Sequence, residues 1–547
     1  MVSKTHLEDK MKLGSKFTLS RRAFLQTSLG AGAATFLARS PLAHAAPSSE
    51  ETFAWQVTAP LIRSRIQAPV FPQQDFAITG FGAIGDGVTD CTAAINGAIR
   101  ACNAAGGGRV VVPSGKFFTG AITLLSNVNL YLPNLDSILL FSTDPRKYPN
   151  VLTRWEGNDL FNYSPLVYAF RQTNIGITGR GTLDGQAGTF PNAQGNPSAW
   201  WWWKGSAPFG GPNIFPNQIA DSTQLKQQGA VPGHVPVSQR VYGIEPNGTQ
   251  HYLRPPLIGP YGCENVLIEG VTITRSPFWQ MHPLFCRNVT IRYVTATSLG
   301  TNNDGCDPES CTDVAIEFCN FNTGDDCIAI KAGRGYDAMV DSGLQALGAL
   351  PPWVSYPTTC QNIIIGQCIM QSGHGGVTLG SEMSGGINNV FAQNVKMLSN
   401  TLDIALRFKT NTWRGGFMTN YYARNIYVPN GVSASNGVIT IDYFYSADAT
   451  DRPQDAGPFR PFTDKIYISN LIVPGGSSRY AFNLRGFSPA NTPLDPAHGS
   501  VTINDPIGLV RVSDSTINGV TSPVDVVQAV DLHLSNVTRN GILLPDQ

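Results

Sequence analysis

The adjacent acids Asp325 and Asp326 are the first residues of this chain that suggest chemistry. They stand in the segment NTGDDCIAIKAG, residues 322 to 333, between a glycine and a β-type run. Two neighbouring carboxylates at the start of a strand repel each other, so their pKa values are pushed apart. One acid can then stay protonated while the other is ionised, as general acid–base catalysis requires. In isolation such a pair is more often part of a turn, so its meaning depends on the elements that position it.

Four segments begin alike and indicate a repeating β structure. They read CENVLIEGVTI, CRNVTIRYVTA, CTDVAIEFCNF and CQNIIIGQCIM, and each has Asn or Asp two residues after its first cysteine. Short β runs with a turn asparagine at a regular interval are typical of a β-solenoid. Because successive coils stack about 4.8 Å apart, we expect the leading cysteines to form a buried ladder of small apolar side chains. These are Cys263, Cys286, Cys311 and Cys360.

The rest of the chain fits one elongated all-β domain over residues 70–547. A helix is predicted in TDCTAAINGAIRACNAAGGG, where it would cover the open end of the first coil and protect an exposed sheet edge. Residues 46–69 are interpreted as a linker or a strap. Two segments, 186–254 and 334–358, interrupt the coil pattern and are interpreted as inserted loops.

The N-terminal segment predicts export. Arg21 and Arg22 precede a short Gly/Ala-rich apolar stretch, and Ala43 to Ala45 offer a small-x-small cleavage site. This pattern is typical of a twin-arginine signal over residues 1–45. No cysteine stands directly after the cleavage site, and no later apolar run is long enough to span a bilayer. We therefore expect a periplasmic or secreted protein without a membrane anchor.

The composition argues against a nucleic-acid partner. Lys plus Arg and Asp plus Glu are 38 each, so the formal net charge is zero. Binding to nucleic acid through overall positive charge is therefore not expected.

Aligning the coils at their ends brings several charged residues into one register. Asp304, Asp325 and His374 are predicted to occupy one angular position in three successive coils, with Asp326 beside them. Arg407 and Lys409, two apart on a strand, point to the same side one coil further on. Charged residues such as these do not contribute to the apolar core of a solenoid, so this face is predicted to be a functional site.

The motifs NNDGCD, GDDCIAIK, SGHGG and RFK resemble the four signature elements of the polygalacturonase family of pectin-degrading glycoside hydrolases. The resemblance extends from FGAIGDGVTDCTAAINGAI through RFKT. It implies a right-handed parallel β-helix and hydrolysis that inverts the anomeric carbon. Asn303 and Phe408 depart from the commoner forms of two motifs, although both changes leave the charged groups in place.

The resemblance also implies a role for each residue. Asp325 would be the general acid, and Asp304 and Asp326 would hold and deprotonate the attacking water. His374 would tune the acid's proton. Arg407 and Lys409 would bind a substrate carboxylate. A tyrosine further along belongs to the family's site, and Tyr443 is chosen over Tyr445.

The expected activity is hydrolysis of α-1,4-galacturonosyl bonds in polygalacturonate or pectic oligosaccharides, by a monomer with no cofactor and no metal. The long insertion 186–254 with its run AWWWWKG, and the segment GSEMSGG at residues 380–386, favour an exo-enzyme that releases mono- or digalacturonate. Coil stacking places acid backbones about 4.8 Å apart, whereas inverting enzymes separate their carboxyls by about 6.5 to 9.5 Å, so spacing alone leaves retention open. Two alternatives remain: β-elimination of the pectate lyase type, and a non-catalytic polysaccharide-binding β-helix.

Overall fold

The repeated segments form the coils of a parallel β-helix, as the sequence predicts. The computed structural model describes residues 48–187, 218–229, 235–446, 457–490 and 503–546. The largest sheet has 22 strands, and the pairings along it are parallel except at the last strand. Its strands are Asp75–Ala77, Asp86–Asp90, Gly108–Val111, Gly115–Thr119, Val128–Leu132, Ser137–Phe141, Thr173–Gly179, Thr182–Asp184, Glu264–Glu269, Thr272–Thr274, Arg287–Arg292, Thr295–Ser298, Thr312–Glu317, Asn320–Thr323, Cys360–Gly366, Ile369–Met370, Ile387–Met397, Phe417–Tyr427, Phe462–Val473, Ile507–Ile517, Val530–Arg539 and Ile542–Leu543.

A second face is built from shorter strands. Two sheets contribute to it, with three and six strands. Isolated bridges through Met281 and Cys306 join the end of the first to the start of the second. The strands are Ile122–Thr123, Val167–Phe170 and Ile258–Tyr261, then Ile328–Ile330, Val377–Leu379, Leu406–Lys409, Gly437–Asp442, Tyr480–Arg485 and Val526–Gln528. An antiparallel hairpin, Asn150–Trp155 with Asn158–Tyr163, stands apart from these sheets.

Helices are few in the described ranges. The α-helices are Ser49–Phe53, Ala59–Arg65, Thr92–Ala104, Gln218–Gly229 and Tyr336–Met339, with a π-helical turn at Ala54–Thr58. The 3₁₀ turns are Ile78–Phe81, Pro145–Lys147 and Val237–Gln239. None of the helices in these ranges is long and apolar enough to cross a membrane.

Turn asparagines explain why the coils repeat. Asn265, Asn288, Asp313 and Asn362 all have positive φ, a conformation that Asn and Asp tolerate better than other side chains. The Asn265 side-chain amide donates to Asn174 Oδ1 at 2.8 Å, and Asn389 donates to Asn362 Oδ1 at 3.1 Å. Each coil therefore bends at the same place, and the bends hydrogen-bond to one another along the axis.

The cysteine ladder is confirmed. All ten cysteines are buried and free. The backbone N–H of Cys263 donates to Cys286 Sγ at 3.4 Å, and that of Cys286 donates to Cys311 Sγ at 3.3 Å. The thiols thus fill the core at a repeated position as small apolar groups.

The helix that the sequence predicted at the start of the domain is present, and a second helical segment precedes it. The helix Thr92–Ala104 buries Ile95, Ala98, Ile99 and Cys102 in the main core, where it packs on the first coil. The helical segment 49–65 lies along the large sheet, and Trp55 packs on Phe391 with ring centroids 5.2 Å apart. The described part of residues 46–69 thus packs on the body of the solenoid. The predicted signal, residues 1–45, and the run AWWWWKG lie outside the described residues.

The inserted segments build a lobe against the hairpin. Leu225 of the helix Gln218–Gly229 packs with Trp155, Leu160 and Leu253 in an apolar cluster. Lys226 forms an ion pair with Glu156 at the hairpin turn, at 2.6 Å. The second insertion, 334–358, contributes Leu344 and Ala349 to a neighbouring cluster.

Candidate active site

The strands of the second face carry most of the predicted site residues. Asp325 and Asp326 precede Ile328–Ile330, and His374 precedes Val377–Leu379. Arg407 and Lys409 lie within Leu406–Lys409. The registers Ile328 to Val377 and Val377 to Leu406 stack these three coils directly. The structure therefore brings the predicted charged residues together.

One register in the sequence prediction is wrong. Cys306 pairs with Ile328 rather than with Cys327, so Asp304 is level with Asp326 and not with Asp325. Of the three residues predicted to share one angular position, only Asp325 and His374 do so. The backbone N–H of His374 donates to the Asp325 carbonyl at 3.1 Å. The cause is a longer turn after Ser298, which the buried Asn303 organises by accepting from the Gly300 N–H at 3.1 Å.

Three carboxyls nevertheless meet at one point. One oxygen from each of Asp304, Asp325 and Asp326 lies within 4.8 Å of the others. Asp304 and Asp326 are buried, whereas 17% of the Asp325 side chain is exposed. Asp325 is thus the acid that a molecule arriving from solvent reaches first.

Two cations hold Asp326. Lys409 Nζ lies 2.6 Å from Asp326 Oδ2, and Arg407 Nη1 lies 3.1 Å from Oδ1. Burial would raise the pKa of Asp326, but the charges of Lys409 and Arg407 outweigh it and hold the pKa well below its usual range. Asp326 is therefore ionised.

His374 holds Asp325 in a different way. Its Nδ1 lies 3.0 Å from Asp325 Oδ1. This hydrogen bond and the charge of Asp325 raise the pKa of His374 to about 9. Burial would raise the pKa of Asp325, but the bond from His374 outweighs it and the pKa lies below its ordinary value. The pair is an imidazolium and a carboxylate near neutral pH.

Of Asp304, Asp325 and Asp326, Asp304 is the carboxyl whose pKa is raised. Burial, followed by the charge of Asp325, raises the pKa of Asp304 to about 7. Lys331 opposes this effect from 3.6 Å. Among Asp304, Asp325 and Asp326, the raised pKa is thus that of Asp304 and not that of Asp325, the residue that the resemblance makes the acid. In a coupled cluster a proton belongs to the group rather than to one member.

The tyrosine prediction is corrected by the structure. Tyr443 is fully buried in the main core and its ring packs edge-on against Phe487, with centroids 5.4 Å apart. Tyr445 lies instead beside the paired cations, 5.3 Å from Lys409 Nζ and 5.6 Å from the Arg407 guanidinium carbon. The chain turns after Asp442, so alternation along the preceding strand does not predict which tyrosine faces the site.

Sequence reasoning missed three buried charges next to the acids. Lys331, Asp307 and Glu382 lie within the motifs GDDCIAIK, NNDGCD and GSEMSGG, but no role was inferred for them. It also missed the hairpin at 150–163. For the three buried charges, the position inside a motif was the available signal. Their contacts, however, depend on chain segments that are far apart in sequence.

Comparisons with known proteins agree with this geometry. The model of "Glycosyl hydrolases family 28" matches residues 247–457, and "Rhamnogalacturonase A/epimerase, pectate lyase-like" matches residues 76–131. A probable polygalacturonase of Vitis vinifera is 29% identical over 64% of this chain and 60% of its own length. An exo-poly-alpha-D-galacturonosidase of Dickeya chrysanthemi is 28% identical over 81% of this chain and 70% of its own length. The crystal structure of a hyperthermoactive exopolygalacturonase from Thermotoga maritima is 36% identical, covers 88% of this chain and 96% of that one, and gives a TM-score of 0.71.

Fold and site together define a glycoside hydrolase built on a parallel β-helix. Within that class, the chain belongs to the glycosyl hydrolases of family 28, since it matches the family model across the site and a 36% identical relative over nearly its whole length.

Proposed function

We propose that the protein hydrolyses α-1,4-galacturonosyl bonds of polygalacturonate from chain ends, with inversion, and releases mono- or digalacturonate. The observation that carries this proposal is the pair Arg407 and Lys409 directly beside the three carboxyls. A uronate brings a negative charge to an acidic site, so recognition needs fixed cations there. Arg407 retains 17% exposure of its side chain and offers the accessible part of this pair. The relatives named above as polygalacturonases or exo-galacturonosidases support the same substrate class.

The proposed chemistry uses the carboxyls on two sides of the bond. Asp325, the most exposed of the three, donates a proton to the leaving oxygen, and the imidazolium of His374 at 3.0 Å is its source. Asp304 and Asp326 hold the attacking water and accept its proton. The carboxyl spacing does not by itself indicate inversion. One oxygen from each carboxyl lies within 4.8 Å of the others, which is closer than the roughly 6.5 to 9.5 Å usual for inverting enzymes. Inversion is therefore proposed from the family alone.

A second assignment of the donor is favoured by one observation. The raised pKa of Asp304, about 7, makes that carboxyl a candidate to carry the proton. An aryl α-galacturonide with a good leaving group distinguishes the two, because a variant without its donor loses little activity on such a substrate. We expect Asp325→Asn to retain activity on the aryl substrate and Asp304→Asn to lose it. The reverse pattern would make Asp304 the donor.

The exo preference is supported by a wall beside the acids. The hairpin turn at Gly157 packs on Arg334 and Glu382, and the Arg334 N–H donates to the Gly157 carbonyl at 2.9 Å. Glu382 in turn contacts Lys331, which faces Asp304. The proposal is that this lobe limits the cleft, so that a chain end enters it and a chain interior does not.

A timed product profile on polygalacturonate tests the proposal. An exo-enzyme accumulates mono- or digalacturonate from the first minutes while the polymer's viscosity falls slowly. Proton NMR of the first product reports its anomeric form, and the β-anomer is expected for inversion at an α-bond. Early release of a ladder of longer oligomers would show endo cleavage, and the α-anomer would show retention.

The same assay distinguishes hydrolysis from the β-elimination of a lyase. Three buried cations, Lys331, Arg407 and Lys409, neutralise the acids in this site, so we expect activity to survive EDTA and products to be saturated. Unsaturated uronides or a strict Ca²⁺ requirement would establish β-elimination. Binding of polygalacturonate without any product would favour a non-catalytic module.

We propose further that the protein acts outside the cytoplasm as a monomer, with residues 1–45 as its twin-arginine signal and residues 70–547 as its catalytic domain. The paired arginines Arg21 and Arg22 before a Gly/Ala-rich apolar stretch are the observation behind the proposed export. N-terminal sequencing of the exported protein and sedimentation of the purified chain test these two statements.

A further inference from the structure

A buried lysine lies behind the acid cluster. The Nζ of Lys331 is 3.0 Å from Glu382 Oε2, 3.5 Å from Asp307 Oδ1 and 3.6 Å from Asp304 Oδ2, and only 3% of the side chain is exposed. Its ammonium also lies 4.4 Å from the centre of the Trp279 ring. A lysine in such a place makes no contact with bulk water and has to be stabilised by its partners.

The coils on either side hold the backbone of this lysine. Lys331 follows the strand Ile328–Ile330 and donates its N–H to the Pro308 carbonyl at 3.0 Å. The next residue, Ala332, donates to the Glu382 carbonyl at 2.6 Å. Lys331 therefore connects the loop that carries Glu382, beside the hairpin wall, to the coil that carries Asp304 and Asp307.

Asp304 and Asp307 depend on Lys331 for their charge balance. Within the described ranges, Lys331 is the only cation within 4.0 Å of either carboxylate. Asp304 Oδ1 and both carboxylate oxygens of Asp307 are buried without a hydrogen-bond partner there. Loss of the lysine would leave two buried acids side by side with no counter-charge nearby, which strongly favours their neutral forms.

We propose that Lys331 is a positioning residue that keeps Asp304 ionised and oriented for water activation, and that Glu382 sets how much of the lysine's charge acts on Asp304. This inference rests on the proposed role of Asp304 as a water-activating base. Lys331 itself is too deeply buried to touch the substrate, so its effect passes through Asp304.

The charge state of Asp304 is finely balanced, which makes it sensitive to these neighbours. The charged and titratable groups that act on it from the packed elements are Asp307, Asp325, Asp326, Lys331, Lys409 and Arg254. Those that act on Lys331 are Glu382, Asp304, Asp307 and Asp326. Burial and the charge of Asp325 raise the pKa of Asp304 to about 7, while Lys331 pulls it down.

Two substitutions should move the pH–rate profile in opposite directions. Lys331→Met keeps the length of the side chain but removes the charge, so Asp304 should hold its proton to higher pH. An opposite charge at this distance is worth about 1 to 3 pKa units, and the acid limb of kcat should shift upward by a similar amount. Glu382→Gln removes the anion that competes for the lysine, so the acid limb should shift downward. Lys331→Arg keeps the charge and should restore most of the wild-type profile.

The test measures kcat across pH for these variants and the wild type on polygalacturonate, with Lys465→Met as a control. Lys465 lies on the large sheet and pairs with Glu50 of the helical segment 49–65, so its loss should leave the acid limb in place. Circular dichroism checks that each variant folds. If Lys331→Met does not fold, the inference is tested by whether the acid limb of kcat shifts downward in Glu382→Gln.

Three results would overturn the inference: a loss of kcat that is uniform across pH, an acid limb that stays in place, or a shift of the basic limb instead. A wild-type enzyme that forms no saturated galacturonate would refute the proposed function. That outcome is distinct, because it is seen before any variant is compared.

Discussion

Asp325 and Asp326 are adjacent in sequence, but their partners separate their chemistry. Asp326 is fully buried between Lys409 and Arg407 and is held ionised. Asp325 reaches solvent and is paired with His374. The two acids lie in the bend before the strand Ile328–Ile330, and their side chains meet residues of different coils. The proposal that one donates a proton and the other holds water follows from this difference.

Replacing the proposed donor should affect chemistry and not binding. In Asp325→Asn the shape of the site is kept but the proton is lost. General acid catalysis contributes about 10² to 10⁴-fold, and a sugar leaving group is poor, so kcat should fall toward the high end of that range with little change in KM. Steady-state kinetics on polygalacturonate measure both. Near-normal turnover in Asp325→Asn together with an inactive Asp326→Asn would mean that the donor is the other member of the pair.

Replacing the accessible cation should affect recognition. Arg407→Ala removes a charged contact to the uronate, and hydrogen bonds to charged groups are worth about 1.5 to 3 kcal/mol. We expect kcat/KM to fall about 10- to 100-fold, mainly through KM. Arg109→Ala, on the first coil and paired with Asp75, is the control and should leave both constants unchanged. A fall in kcat with constant KM would place Arg407 in the chemical step.

At the scale of the element, strand alternation determines which side chains face the site. Arg407 and Lys409 contact Asp326, whereas Phe408 between them packs on Tyr421 in the core with ring centroids 4.9 Å apart. A strand that is polar on one side and apolar on the other can thus carry both recognition and core packing. The departure at Phe408 is therefore accommodated inside the solenoid, away from the charged groups.

The cysteine ladder should be chemically silent in the folded protein. All ten thiols are buried, and burial raises the pKa of Cys102 to about 11 and that of Cys360 to about 12. Because the thiolate is the reactive form, we expect no reaction with a disulfide reagent in the native state. Titration in guanidinium should then release ten equivalents, one for each cysteine in the sequence. Mass spectrometry that finds disulfides in the purified protein would contradict the ladder.

At the scale of the whole molecule, the stability of the β-helix is linked to the protonation of its site. The folded protein retains the proton on His374 up to a pKa of about 9, while the ordinary value in an unfolded chain is 6.5. This contribution to stability is fully present below pH 6.5 and is lost as pH rises through 9. The melting temperature of the wild type should therefore fall between pH 7 and 9. The melting temperature of His374→Gln should fall less over the same pH range. An equal fall in both proteins would contradict a link between stability and the proton on His374.

The hairpin wall and the solenoid act together at this largest scale. In the proposed function, the solenoid supplies a surface for a polymer and the lobe formed by the hairpin, the helix Gln218–Gly229 and Glu382 limits it. The exo preference is thus proposed from a structure that spans several insertions rather than from any single residue.

The sequence by itself determined the coil pattern and the chemical groups of the site. Alternating apolar residues and the asparagines at positive φ are local features, and they specify a β-solenoid without knowledge of distant contacts. The motifs around Asp304, Asp325, His374 and Arg407 likewise indicated which side chains would gather on one face.

Only the tertiary structure decided how these groups are matched to one another. The longer turn after Ser298 shifts Asp304 to the level of Asp326, and the turn after Asp442 brings Tyr445 to the cations in place of Tyr443. The proposed role of Lys331 could be inferred only from its ion pairs with Glu382 and Asp307, which different coils contribute. Turn lengths set the register between coils, and electrostatic balance depends on distances across coils. Neither quantity can be read from a segment of sequence taken alone.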